Sequence, residues 1–232
     1  MLRVVFHDRA EAGVALAAML TRYARRRDVV VLALPRGGVP VGWQVARALD
    51  APLDVFLVRK LGVPGREELA MGAIASGGVR VLNQKLVHAY GLGDAVVERI
   101  AAAERLELER RERAYREGQL RPEVRAKVAI LVDDGLATGS TMRAAVAAVR
   151  LLEPSWVVVG VPTSPASTCE ELAQEADEVA CVSTTPRFRA VGLSYRAFPQ
   201  VSDEEVRELL RRPTDPGGPA PASPDETRRQ RA

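Results

Sequence analysis

The sequence predicts an α/β fold in which a parallel β-sheet is flanked by helices. Five short apolar runs have the continuous hydrophobicity of strands that are buried on both faces, and amphipathic segments separate them. A strand, a glycine-containing loop, a helix and a second strand follow one another at residues 29–58. Such a βαβ unit joins parallel strands, so we expect the sheet to be parallel.

The elements follow in order along the chain. A short β-type run at residues 2–6 comes first, and Asp8 with Glu11 has the spacing of a capping box that begins a helix. The runs predicted as strands of the sheet are residues 29–34, 53–58, 128–132, 156–161 and 178–182. The predicted helices end at residues 27, 48, 117, 152, 175 and 211.

The segment between the second and third predicted strands is not predicted to belong to the parallel sheet. Residues 59–68 are expected to form a loop, and residues 70–76 and 79–82 a hairpin around a Gly-Gly turn. A long helix is predicted at residues 94–117, and its part from 98 to 117 holds six Glu and six Arg. The balanced signs indicate a solvated, salt-bridged face rather than a basic stripe that binds RNA.

The composition is that of a globular protein with an ordinary core. The net charge is +3, and 47% of the 232 residues are hydrophobic. No apolar run approaches the roughly 20 residues that cross a bilayer, and the first residues lack the apolar segment of a signal peptide. Cys169 and Cys181 lack the spacing of a metal site or a disulfide framework, so we predict that both are buried packing residues. We expect a cytoplasmic protein.

A small-residue turn after the third predicted strand is the most informative segment. This turn, the phosphate loop, spans residues 135–141, and its candidate binding residues are Gly135, Ala137, Thr138, Gly139, Ser140 and Thr141. Turn amides and the N-terminus of the following helix present unpaired N–H groups to an anion. Three hydroxyls add donors, and Gly139 lets the backbone approach a phosphate closely. The residues therefore predict a phosphate site, with a capped Asp-Asp-Gly turn as the alternative.

Two carboxylates, Asp133 and Asp134, stand directly before the phosphate loop. Carboxylates repel phosphate, so their position makes sense for a sugar phosphate. The phosphate would occupy the loop, while the two acids bind ribose hydroxyls or approach a magnesium ion carried by the ligand. The carboxyl end of a parallel strand is also where open α/β sheets bind ligands.

This string resembles the motif for 5-phosphoribosyl 1-pyrophosphate (PRPP) of the type I phosphoribosyltransferases, in particular bacterial members with an unassigned product. The resemblance covers residues 1–210 and implies a type I fold. We expect one domain at residues 1–212, with a hairpin lid at about 59–82 and a small hood at about 183–201. The proline-rich remainder, residues 213–232, is expected to be a disordered tail.

Further residues fall where this resemblance requires them. Arg36, Gly37 and Gly38 occupy the position of the family's pyrophosphate loop, in which glycines allow close approach and an arginine fork binds phosphate oxygens. Lys60 would reach the same pyrophosphate. The alternatives are a tight βα turn with a surface arginine, and a lysine that merely extends from a strand end.

The lid and the hood contain further candidates. Arg66 and Glu67 lie in the segment that resembles the mobile catalytic lid, which excludes water from the reaction. Phe188 and Val191 lie in the segment that resembles the hood over the nitrogenous substrate, where an aromatic ring can stack. A solvated charged loop and ordinary packing are the alternative interpretations.

One position departs from a well-known branch of this family. In the hypoxanthine–guanine type, the residue before Thr-Gly in the phosphate loop is an aspartate that faces the purine. Here it is Ala137, whose methyl group cannot accept a proton. This argues against a 6-oxopurine enzyme and leaves other purines, pyrimidines, orotate-like acids and amines open.

The resemblance implies a transferase in which a nitrogen nucleophile attacks the anomeric carbon of PRPP and displaces magnesium pyrophosphate. Asp133, Asp134, Lys60 and Arg36 are the expected catalytic set, and Mg²⁺ is expected to be held mainly by PRPP. A nitrogenous substrate and a second copy of the chain are the expected partners, and nucleic acid is not. The alternative is a non-catalytic regulator that senses PRPP or a nucleotide, with or without nucleic-acid binding.

Overall fold

Five parallel strands form the central sheet of the computed structural model, which describes residues 4–118, 120–184 and 188–214 but not the side chains of Glu67 and Glu68. The strands are β1 (Val29–Ala33), β2 (Leu53–Val55), β3 (Val58–Val63), β4 (Arg66–Ala75), β5 (Val79–Leu82), β6 (Val128–Val132), β7 (Trp156–Ser164) and β8 (Glu178–Thr184). The helices are α1 (Arg9–Met19), α2 (Gly38–Leu49), α3 (Gln84–Ala89), α4 (Asp94–Arg116), α5 (Ser140–Arg150), α6 (Ala166–Leu172) and α7 (Asp203–Arg211).

The central sheet has the strand order β2-β1-β6-β7-β8, and every pair of neighbours is parallel. The predicted α/β class with a parallel sheet is therefore confirmed. In register, Ala33 lies beside Val132, which lies beside Gly160. The chain consequently leaves β1 and β6 at the same edge of the sheet, so the loops that follow these strands are neighbours.

Both faces of this sheet are covered, which explains why its strands are apolar without interruption. Alternate residues of β1 and β6 point to opposite faces. On one face, Leu32 and Leu131 pack with Met142 of α5. On the other face, Val31 and Ile130 pack in a separate cluster with residues of α1 and α2.

A second sheet has the strand order β3-β4-β5 and is antiparallel. Its presence shows that two predictions were wrong. The predicted strand 53–58 is in fact two strands, because β2 ends at Val55 and the chain enters the second sheet at Val58. The predicted loop 59–68 is the hairpin of β3 and β4, whose turn contains Gly65 with φ +74°. The hairpin predicted after it is confirmed as β4 and β5.

The N-terminal segment agrees only in part with the prediction. Asp8 is confirmed as the N-cap of α1, and its side chain accepts a hydrogen bond from the Glu11 amide at 2.9 Å. The Glu11 carboxylate bonds the amide of His7 rather than that of the cap. Helix α1 ends at Met19 and not at residue 27, and it cannot continue through Arg25, whose φ is +60°.

Helix α4 is less solvated than its balanced charges predicted. Glu107 forms the expected surface ion pair with Arg111 at 2.8 Å. At the end of the helix, however, Arg116 is buried and its guanidinium bonds the buried carboxylate of Asp54 at 3.0 Å. This ion pair links the end of α4 to β2. The charged residues of α4 therefore make buried contacts as well as solvent-exposed ones.

The C-terminal boundary lies slightly beyond the predicted one. The hydroxyl of Thr214 donates to the carbonyl of Ala51 at 3.1 Å, so the first residues of the predicted tail pack on the domain. The rest of that tail, residues 215–232, lies outside the described residues. Among the helices in the described ranges, none has the length and apolar character needed to span a membrane.

Candidate functional site

The two predicted acids lie at the carboxyl end of β6. Asp133 Oδ1 accepts a hydrogen bond from the Asp134 amide at 2.8 Å, and Asp134 Oδ2 accepts one from Arg9 Nε at 2.8 Å. Within the described part of the chain, no other residue donates a direct hydrogen bond to the remaining oxygens, Asp133 Oδ2 and Asp134 Oδ1. One oxygen of each carboxyl group is therefore available to a hydroxyl of a ligand.

Burial raises the pKa of both carboxyl groups above the usual range for aspartate. The charge of Asp134 raises the pKa of Asp133 further, whereas the Arg9 guanidinium opposes the rise at Asp134. The protein thus disfavours full charge on both acids, and a ligand that donates hydrogen bonds to them would offset part of that cost.

The predicted pyrophosphate loop lies directly against these acids. A Cβ atom added to Gly37 would stand 2.0 Å from Asp134 Oδ2, and one added to Gly38 would stand 2.6 Å from the Val132 carbonyl. At both positions a neighbouring group would have to move to admit a side chain, which explains the two glycines. The peptide bond between Pro35 and Arg36 is cis. The structure thus brings the loop after β1 and the acids after β6 into one surface.

The phosphate loop has the geometry of an anion cradle. Gly139 caps α5 with a left-handed φ of +68°, and α5 begins at the next residue. The Thr138 hydroxyl donates to Ser140 Oγ at 3.2 Å. The Thr168 hydroxyl of α6 donates to the Ala137 carbonyl at 3.0 Å and holds the loop from behind. The Ser140 amide donates weakly to Thr138 Oγ1 at 3.4 Å, and the first amides of a helix have no partner within the helix itself.

Lys60 joins this cradle from the second sheet. Its Nζ donates to Ser140 Oγ at 2.9 Å, at the N-terminus of α5. The helix dipole makes that end positive, so an ammonium group there is electrostatically unfavourable in the absence of an anion. An anion bound beside both groups would remove this conflict. The structure thus places Lys60 against the phosphate loop.

Two predicted arginines have other partners. The Arg36 guanidinium lies 3.8 Å from Asp203, the first residue of α7. In the lid, Arg66 donates to the hydroxyl of Tyr90 at 3.2 Å. The structure does not bring either of them into contact with the acids, and the side chain of Glu67 lies outside what is described.

The predicted hood reaches the site through Val191. Gly135, with φ +156°, would place a Cβ atom 2.6 Å from Val191 Cγ1 and 2.8 Å from Thr163 Cγ2. The hood therefore packs directly on the first residue of the phosphate loop. Phe188 is half-buried. Residues 185–187 of the predicted hood lie outside the described residues.

Three residues of the site were missed by sequence reasoning. Arg9 bonds Asp134, the Tyr195 hydroxyl donates to the Asp134 carbonyl at 2.5 Å, and Phe198 lies 3.8 Å from the Arg9 guanidinium. One signal could have identified Arg9, since a basic first residue of a helix opposes the dipole and needs an acidic partner. The tyrosine and the phenylalanine carry no comparable signal.

The two cysteines also differ from expectation. Cys169 and Cys181 are half-buried rather than buried, and the Cys181 thiol donates to the Ser183 carbonyl at 3.4 Å. The interaction with Cys181 lowers the pKa of Cys169 to about 7. The pKa of Cys181 is raised by Cys169 and by burial. Over the described ranges, no three histidine, cysteine or acidic side chains come together as a set of metal ligands.

Comparison with known proteins agrees with this geometry. A family model described as a phosphoribosyl transferase domain matches residues 7–195. A curated Mycobacterium tuberculosis protein with the provisional name phosphoribosyl transferase is 46% identical over 208 residues, which are 90% of this chain and 47% of that protein. The chain therefore spans about half the length of this relative.

A solved structure is similar over almost the whole domain. The crystal structure of TT1426 from Thermus thermophilus has a TM-score of 0.80 and 41% sequence identity, and the match covers 89% of this chain and 98% of that chain. The parallel sheet, the site at its carboxyl edge and the family match lead to one conclusion. The resemblance predicted from the sequence is confirmed, and this chain belongs to the phosphoribosyl transferase family.

Proposed function

We propose that the chain binds PRPP and transfers its 5-phosphoribosyl group to a nitrogen nucleophile, with release of pyrophosphate. The observation that carries this proposal is the closeness of two loops: a Cβ atom added to Gly37 would overlap the carboxyl group of Asp134, and one added to Gly38 would stand 2.9 Å from Asp133 Cα. A ligand that carries hydroxyls and phosphates close together could use both loops at once. The phosphate loop beside them supplies a second anion site, as PRPP requires.

Each part of PRPP has a matching group. The 5-phosphate accepts hydrogen bonds from the amides at the start of α5 and from the hydroxyls of the phosphate loop. The ribose hydroxyls donate to the free oxygens of Asp133 and Asp134. The pyrophosphate lies against the backbone of Gly37 and Gly38, and Lys60 neutralises phosphate charge. Catalysis then depends on orientation and on electrostatic stabilisation of the leaving group.

A magnesium ion fits this site as a companion of the substrate. Two carboxyl groups with one free oxygen each could approach such an ion, but the described residues offer no third ligand beside them. Diphosphate oxygens and water are common ligands of Mg²⁺, so PRPP would supply most of the coordination. When bound, the ion would neutralise charge that develops on the leaving pyrophosphate.

The nitrogen nucleophile enters next to the hood. Ala137 is an exposed residue of the phosphate loop and offers no group that accepts a proton, which supports an acceptor other than a 6-oxopurine. Other purines, pyrimidines, orotate-like acids and amines are consistent with this surface. A screen of these acceptors for pyrophosphate release separates a transferase from a protein that only senses PRPP.

Calorimetric titration with PRPP and Mg²⁺ tests the proposal directly. The wild type and the variants Asp133→Asn and Asp134→Asn are compared, with Asp50→Asn as a matched control because Asp50 is an exposed residue after α2. We expect tight binding that the two site variants lose and the control keeps. Absence of wild-type binding would refute the proposal. Binding without pyrophosphate release across the acceptor screen would favour the regulator.

A further inference from the structure

Arg9 occupies an unusual position for a charged residue. It is the first residue of α1, only 9% of its surface is exposed, and the helix dipole opposes its charge there. Its guanidinium donates to Asp134 Oδ2 at 2.8 Å and to the Pro199 carbonyl at 2.7 Å. The ring of Phe198 covers it at 3.8 Å. This cation therefore contacts both the Asp134 carboxyl group and the hood.

The hood is tied to the N-terminal segment by backbone hydrogen bonds. The amide of Phe6 donates to Ser194, and the amides of Arg196 and Ala197 donate to Phe6 and His7, all within 2.8–2.9 Å. The Tyr195 ring stacks on Phe198 with centroids 4.9 Å apart. The segment 194–199 and the start of α1 thus form one packed unit around Asp134.

We propose that Arg9 is a positioning residue of the ribose site, which holds the Asp134 carboxyl group and ties it to the hood. This inference rests on the proposed function, because it assigns Asp134 to a ribose hydroxyl. By engaging Oδ2, Arg9 leaves Oδ1 as the oxygen that faces the ligand. Ribose binding and the placement of segment 194–199 are then coupled through one side chain.

Both the charge and the planar shape of the Arg9 guanidinium matter for holding the Asp134 carboxyl group. A lysine keeps the charge but not the planar fork, which serves Asp134 and Pro199 at the same time. A glutamine loses the charge as well. A charge-assisted hydrogen bond to a buried carboxylate typically corresponds to a tenfold or larger effect, so we expect Arg9→Gln to weaken recognition of the ribose hydroxyls about tenfold. Arg9→Lys should fall between Gln and the wild type.

The first measurement separates recognition of the ribose hydroxyls from recognition of the phosphate. Ribose 5-phosphate and tetrahydrofurfuryl phosphate carry the same phosphate on a similar ring, but the second has no ring hydroxyls. The ratio of their affinities therefore reports hydroxyl recognition, whereas partial unfolding or a change in long-range charge affects both. We expect this ratio to fall in Arg9→Gln and to recover in part in Arg9→Lys. It should be unchanged in Arg196→Gln, whose side chain is an exposed arginine of the hood. An unchanged ratio in Arg9→Gln would overturn the proposal.

The second measurement needs no ligand. Hydrogen–deuterium exchange at the amides of Arg196 and Ala197 should accelerate in Arg9→Gln and in Asp134→Asn, with no further acceleration in the double variant. Unchanged exchange in Arg9→Gln would overturn the tie between Arg9 and the hood. A wild type that binds neither sugar phosphate nor PRPP would refute the proposed function and the ribose role with it. The exchange result would then decide whether the tie exists.

Discussion

Gly37→Ala tests the contact on which the proposed site depends. Gly37 has φ −60° and ψ −32°, a backbone conformation that alanine adopts without strain, so the only obstacle is the neighbouring carboxyl group. The new Cβ would stand 2.0 Å from Asp134 Oδ2 and 2.6 Å from its Cγ. Because such contacts need at least 3.0 Å, the carboxyl group must withdraw by about 1 Å.

Two consequences of that displacement can be measured. Losing a hydrogen bond to a charged group typically costs about tenfold or more in affinity, so PRPP affinity in calorimetry should fall by about that factor. Overpacking should also lower the free energy of unfolding by about 1–3 kcal/mol in chemical denaturation. Gly93→Ala is the matched control, because a Cβ there meets nothing within 4 Å and the native φ is −68°.

A double-variant cycle identifies the cause. In an Asp134→Ala background there is no carboxyl group to displace, so Gly37→Ala should no longer reduce stability. An equal cost in both backgrounds would show that the alanine perturbs the loop itself. A Gly37→Ala variant with wild-type PRPP affinity would refute the reasoning that places Asp134 against this loop.

Three further outcomes are expected. Lys60→Met should weaken PRPP binding without destabilising the free protein, because the ammonium group faces the positive end of α5, whereas Lys85→Met, on the exposed side of α3, should do neither. Arg116→Met should lower the free energy of unfolding by about 3 kcal/mol in chemical denaturation, because it leaves the buried Asp54 carboxylate unpaired. Alkylation of Cys169 by iodoacetamide should accelerate as the pH rises through about 7, since the thiolate forms there, and reach a plateau above that range.

The last two of these predictions each have a control residue in the same protein. Arg110→Met removes an exposed ion pair from the same helix as Arg116 and should leave the unfolding midpoint unchanged. Cys181, whose pKa is raised, should react far more slowly than Cys169 at neutral pH in peptide mapping. Equal alkylation of the two thiols, or equal loss of stability in the two arginine variants, would contradict the contacts described.

The central sheet could be predicted because its strands are buried on both faces and therefore apolar without interruption. The same property concealed where β2 ends. Residues 53–58 are one apolar run, yet Val55 belongs to the parallel sheet and Val58 to the antiparallel one. Hydrophobicity reports burial, and both sheets bury this run, so its pattern contains no sign of the change of partner. The predicted loop at 59–68 failed for a related reason, because its glycines belong to a hairpin turn and a bulge.

The phosphate loop and its two acids could be predicted because their chemistry is local, within nine consecutive residues. Arg9 could not be placed there in the same way, because its partner Asp134 is 125 positions away. Tyr195 and Asp134 are 61 positions apart. Only the topology, which returns the segment after β8 to the start of α1, brings these residues together.

Without a ligand, charged groups have unfavourable surroundings at three points of the site. One kind of ligand would stabilise the charges at two of these points. Lys60 lies at the positive end of α5, and the buried carboxyl groups of Asp133 and Asp134 are adjacent. A phosphate placed at the phosphate loop is attracted by the lysine and by the helix dipole together. Hydroxyl groups that donate to the two free carboxyl oxygens stabilise the charge that burial disfavours. The third unfavourable charge, Arg9, is compensated within the protein by Asp134 itself. A phosphate ester with vicinal hydroxyls therefore satisfies this site, whereas a phosphate alone or a polyol alone would leave one of the two conflicts in place.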